Sequence, residues 1–131
     1  MRSLLLLTAT AVTAVGLGIA AAQAADMASP AMTENSGIGN VLTDKKMMTL
    51  YTFDKDQPGK SNCNGTCANH WPPLMAPADA KPSGNWSVIT RADGSKQWAY
   101  KGHPLYAWEK DKKPGDTTGD GVNKVWHAAH P

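Results

Sequence analysis

Apolar and polar positions alternate along this chain in short runs. Residues 40–43, 48–53, 86–91, 96–101 and 105–108 each carry β-branched or aromatic side chains at every second place. Such a period of two predicts half-buried strands. Asp93-Gly94 stands between two of these runs, a pair of residues that favours a tight hairpin turn. Trp98 and Tyr100 then share one strand face, as do Tyr51 and Phe53, and Tyr106 and Trp108. Between the two groups of runs, Trp71-Pro72-Pro73-Leu74 and residues 77–84 predict an extended connection without helix or central strand. Residues 25–38, rich in Met, Ala, Ser, Asn and Gly, have little to bury and predict a flexible lead-in.

The same heptapeptide pattern occurs twice. Leu50-Tyr51-Thr52-Phe53-Asp54-Lys55-Asp56 aligns with Leu105-Tyr106-Ala107-Trp108-Glu109-Lys110-Asp111 at an offset of 55, and Trp71 aligns with Trp126 at the same offset. The expected fold is therefore all-β: one small domain over residues 39–131, made of two homologous β-rich repeats (39–76 and 86–131) about a pseudo-two-fold axis. As scaffold, Tyr51, Phe53, Tyr106 and Trp108 supply core, while Asp56 and Asp111 accept backbone N–H groups in the turns that follow. The rival reading pairs the two carboxylates in general acid/base work.

Composition sharpens this picture at the first end of the chain. Residues 1–24 hold one basic residue, a leucine-led apolar run and Ala22-Gln23-Ala24, the pattern of a cleaved secretory signal. Cleavage leaves no stable membrane anchor. Of thirteen Lys and Arg only Arg2 lies in that segment, so the remainder nearly balances eleven Asp and Glu without a basic block, which argues against nucleic-acid binding. All nine aromatics, five Trp, three Tyr and one Phe, lie beyond residue 24. They must supply much of the core, because each buries roughly 150–250 Å².

The blocks Val41-Leu42-Thr43-Asp44, Thr49 to Asp56, Ser61 to Ala68, Trp71-Pro72-Pro73-Leu74, Gln97-Trp98, Pro104-Leu105-Tyr106 and Trp126-His127 resemble the bacterial secreted and lipoprotein repeat family defined by Tyr-x-(Phe/Trp/Tyr)-x-x-Asp. That family has no established biochemical function, so the resemblance implies an exported bacterial protein, periplasmic or secreted, rather than an activity. The chain departs from the lipoprotein members in lacking a lipidation Cys. Met47 also stands where the family usually has a turn Gly.

Cys63 and Cys67 are the two cysteines, and export places them where thiols oxidise. A disulfide closing Cys63-Asn64-Gly65-Thr66-Cys67 is one reading. Another is a copper site, since Cys67, His70 and Met75 have the spacing of a thiolate, imidazole and thioether loop, with His127 as a further imidazole. No Gly-x-Ser-x-Gly elbow, phosphate loop or dinucleotide fingerprint occurs. The sequence therefore points to a non-enzymatic binding or interaction module holding an envelope protein or a small ligand, with Trp71 and Trp126 as its expected ligand surface. The alternative is a redox or metal accessory protein.

Overall fold

The computed structural model describes residues 29–131; the signal reading for residues 1–24 lies outside the described residues. No helix among the described residues is long and apolar enough to cross a membrane. The fold is mainly strand, in three small antiparallel sheets. Strands β1 (Met32–Ser36) and β2 (Gly39–Thr43) form a hairpin, and β3 (Tyr51–Phe53) pairs with the last strand, β7 (Trp126–Ala128). The third sheet runs β4 (Trp86–Thr90), β5 (Lys96–Tyr100) and β6 (His103–Pro104). One short helix, α1 (Thr66–His70), and a 3-10 turn at Val122–Lys124 occupy equivalent places in the two halves.

Two expectations are corrected. Residues 32–36 are not a flexible lead-in, because they pair residue by residue with β2. Met-Thr-Glu-Asn-Ser carries no alternating apolar stripe, and its ladder of backbone bonds rather than buried side chains holds it. Conversely, residues 105–108 do not form a continuous strand. Tyr106 bridges to Tyr51 and to Pro73, but the neighbouring chain contains Pro72 and Pro73, which have no N–H to extend a ladder.

The halves exchange partners. The first motif strand, β3, pairs with the closing strand of the second half. The second motif lies against residues 70–74 of the first: Ala107 N–H donates to Pro72 O at 2.7 Å, Glu109 N–H to His70 O at 3.0 Å, and Leu74 N–H to Leu105 O at 2.9 Å. Asp54 N–H to Val125 O and Ala129 N–H to Leu50 O, both 2.8 Å, repeat two of these bonds at an offset of 55. Where the motifs meet, Tyr51 and Tyr106 bond each other's backbone in both directions, at 2.8 and 3.0 Å.

The hairpins are equivalent with one adjustment. Leu50 N–H donates to Leu42 O, and Leu105 N–H to Trp98 O, so the second strand of each hairpin matches at 56 rather than 55. Thr43 bridges Thr49 as Ala99 pairs with Pro104, which confirms the match. The second hairpin turn is one residue longer, and the turn before the second motif one shorter. Burial follows the same duplication. Val41, Tyr51, Trp71, Tyr106 and Trp126 share one core cluster, and Leu42, Leu50, Leu105 and Ala129 another.

Candidate functional site

The motif side chains cross between halves. Tyr51 Oη donates to Asp111 Oδ2 at 2.6 Å, and Tyr106 Oη to Asp56 Oδ2 at 2.6 Å. The second oxygen of each carboxylate takes the following turn: Asp111 Oδ1 accepts from Thr118 N–H and Oγ1, and Asp56 Oδ1 from Asn62 N–H. Both tyrosines are fully buried. Burial first, then the adjoining carboxylate, pushes each phenol far above its ordinary range. Burial also raises Asp56, against the bonds from Tyr106 and Asn62 that favour its charged form. Each carboxylate is thus committed to a tyrosine of the opposite half and a turn of its own.

Trp71 and Trp126 do not form a ligand surface; this expectation is corrected. They are 4% and 3% exposed and lie flat against each other, centroids 3.7 Å apart and planes at 1°. Trp108 stacks on Trp71 at 3.9 Å and Phe53 on Trp126 at 4.1 Å, giving a four-ring pile in which each outer ring comes from the other half. Tyr51 and Tyr106 meet Trp71 and Trp126 edge-on, at 5.4 and 5.2 Å. Offset and edge contacts of this kind add to the area such rings bury.

Cys63 and Cys67 are joined in a disulfide. The buried Arg91 holds its loop, with Nη2 donating to Cys63 O at 2.6 Å and to Asn64 Oδ1 at 3.3 Å. Nη1 of the same guanidinium donates to Gln97 Oε1 and to Ser61 Oγ, and Ser61 Oγ bonds Tyr106 Oη. Arg91 escaped the sequence reading. Its signal was parity: it shares a strand face with Ile89, which is buried, so a charge there had to find partners inside.

The copper arrangement is corrected by the same bond, which removes the Cys67 thiolate. His70 Nδ1 bonds Glu109 Oε1 at 2.6 Å, and His127 Nε2 bonds Asp54 Oδ2 at 2.8 Å, a matched pair of surface contacts between the halves. Met75 lies 52% exposed at a different feature, the groove below. Among the described residues, no three His, Cys, Asp or Glu converge as metal ligands.

That groove is open and encloses about 390 Å³. Trp98, Leu74, Met75 and Pro77 give it apolar walls, and Asp44, Lys45 and Lys46 line its rim. The Asp44 carboxylate is taken by Lys46 N–H and Met48 N–H. Among the described residues, neither Lys45 nor Lys46 makes an ion pair, so with Asp44 beside them the rim carries a net positive charge.

A family model described as a secreted repeat of unknown function matches the chain twice, over residues 32–75 and 87–130. The two matches are themselves displaced by 55 and together span more than half of the chain. No curated protein and no solved structure matches it.

Proposed function

Since the chain belongs to this family of secreted repeats, we propose that it is a non-enzymatic binding module of the bacterial envelope, periplasmic or released, that seats a small molecule with an apolar body and a carboxylate end. The groove between Trp98, Met75 and the Lys45-Lys46 rim is the observation that carries this reading. Its volume suits a small ligand, and a few polar groups on an otherwise apolar lining are the usual composition of such a seat. The repeated Tyr and Asp residues serve the scaffold, because every one of their polar atoms answers to the opposite half or to an adjacent turn.

A panel of aromatic and aliphatic carboxylates titrated against the labelled protein tests the reading by amide chemical shifts. Saturable shifts confined to residues 44–46, 74–76 and 98, weakened about tenfold when both lysines become Glu, support it; a loss of about 1.4 kcal/mol corresponds to that factor. No saturable shift, or unchanged affinity in the double variant, sinks it.

A further inference from the structure

The two halves differ at a buried place beside Tyr106 and its counterpart Tyr51, outside the groove. In the second half, Arg91 and Gln97 fill the space beside Tyr106, with the guanidinium bonded to Gln97, Ser61, Cys63 O and Asn64. In the first half the equivalent positions are Ser36 and Val41. Glu34 pairs with Val41 as Ile89 pairs with Gln97, and one step on, Ser36 opposes Gly39 as Arg91 N–H bonds Ser95 O. A cavity of about 200 Å³ lies here, lined by Ser36 and Val41 with Glu34, Thr43, Met47 and Thr49.

Three further observations distinguish this space from a packing gap. Thr43 lines the cavity and is 1% exposed, and its hydroxyl is the buried side-chain polar atom without a hydrogen-bond partner among the described residues. A buried unpaired hydroxyl is costly and needs an account. Its counterpart in the second half, Ala99, has no hydroxyl to satisfy. Second, beside the second hairpin, Gly59 N–H of the first half closes onto Gly102 O at 3.0 Å. The residues aligned with these are Pro114 and Met47; proline has no N–H, so that closure cannot form, and both residues line the cavity. Third, Glu34 is the one charged residue lining it.

We propose that this cavity is a binding site for a guanidinium group supplied from outside the chain, taking the place that Arg91 occupies in the second half. A planar guanidinium carries its donors in a fixed fork; it would set its charge against Glu34 and, with the Thr43 side chain turned toward the cavity, give one N–H to Thr43 Oγ1. The group could belong to a free small molecule or to an arginine of another protein, and the chemistry at the site is the same for both. This site is separate from the groove and does not depend on it.

The exported protein, labelled for amide NMR, is titrated with methylguanidinium, with agmatine and with a short blocked peptide bearing one arginine, at constant ionic strength against sodium and methylammonium. The expected result is saturable shifts at residues 34–36, 43 and 47–49 with the guanidinium probes and none with the controls. A tighter response to agmatine assigns the site to a small molecule, a tighter response to the peptide to a protein side chain. Glu34→Gln, a change at a half-buried rim position, weakens binding about tenfold. Ser36→Arg fills the cavity from within, abolishes the shifts and raises the melting temperature. The proposal is overturned if methylguanidinium gives no saturable shift at millimolar concentration, so that the cavity holds water only, or if both variants bind as the parent does.

Discussion

The Tyr51 hydroxyl meets the Asp111 carboxylate at 2.6 Å across 60 residues of sequence, so the first copy of the motif is completed by the second. Tyr106 and Asp56 return the exchange. Neither half holds its own motif together. Replacing Tyr51 or Tyr106 by Phe strands a carboxylate that the fold keeps wholly or partly from water, and each change is expected to cost about 1–3 kcal/mol. Tyr51→Phe also removes the acceptor of Gly119 N–H. Urea unfolding followed by tryptophan fluorescence measures both losses, which should be similar in size.

Alkaline pH should unfold the protein through the same two phenols. Their folded-state pKa values are raised, foremost by burial. An unfolded tyrosine ionises near pH 10. The unfolded chain therefore releases protons that the native state keeps, and stability that is complete below about pH 10 falls as pH rises beyond it. Unfolding free energies measured between pH 8 and 11.5 should decline at the top of that range, and less steeply in Tyr51→Phe and Tyr106→Phe.

The disulfide closes a very short loop, and loop-closure entropy assigns it about 2 kcal/mol. Replacing both Cys63 and Cys67 by Ser should lower stability by about that amount while leaving the fold in place, because Arg91 still grips Cys63 O and Asn64. Circular dichroism with thermal melting checks the first statement, and a thiol titration of the denatured parent should find no free thiol.

Gly119 lies where the second half packs on the first. A methyl group there would come within 2.9 Å of both the Trp71 and Tyr51 rings. Gly119→Ala is expected to cost about 1–3 kcal/mol through overpacking. Substitution of the exposed Gly59, which meets no neighbour, displaces no ring. Paired denaturation curves for Gly119→Ala and the parent give the cost.

Much of this was legible in the sequence. The period-two runs placed β2, β3, β4 and β5, the Asp93-Gly94 pair placed the β4–β5 turn, and the offset of 55 gave the duplication. Alternation tells which side chains share a face, but not which strand of another half they will face. It therefore could not show that Asp111 serves Tyr51, or that Trp71 and Trp126 stack on each other at the centre. Tryptophan beside proline reads as exposed recognition surface in a linear chain; here Trp71 is covered only because Trp108 and Trp126 arrive from 37 and 55 residues on. Strand β1 was missed because its order comes from backbone pairing, and the Thr43 cavity because it is defined by what Ser36 lacks relative to Arg91.

Through their exchanged motifs the two repeats should unfold as a single cooperative unit. The decisive measurement is native-state amide exchange at Leu42, Tyr51, Trp98 and Tyr106, whose N–H groups all bond across the two halves. All four amides are expected to open with one free energy, which falls in parallel as urea is added. Amides of one half exchanging through a cheaper opening, while those of the other stay protected, would contradict it.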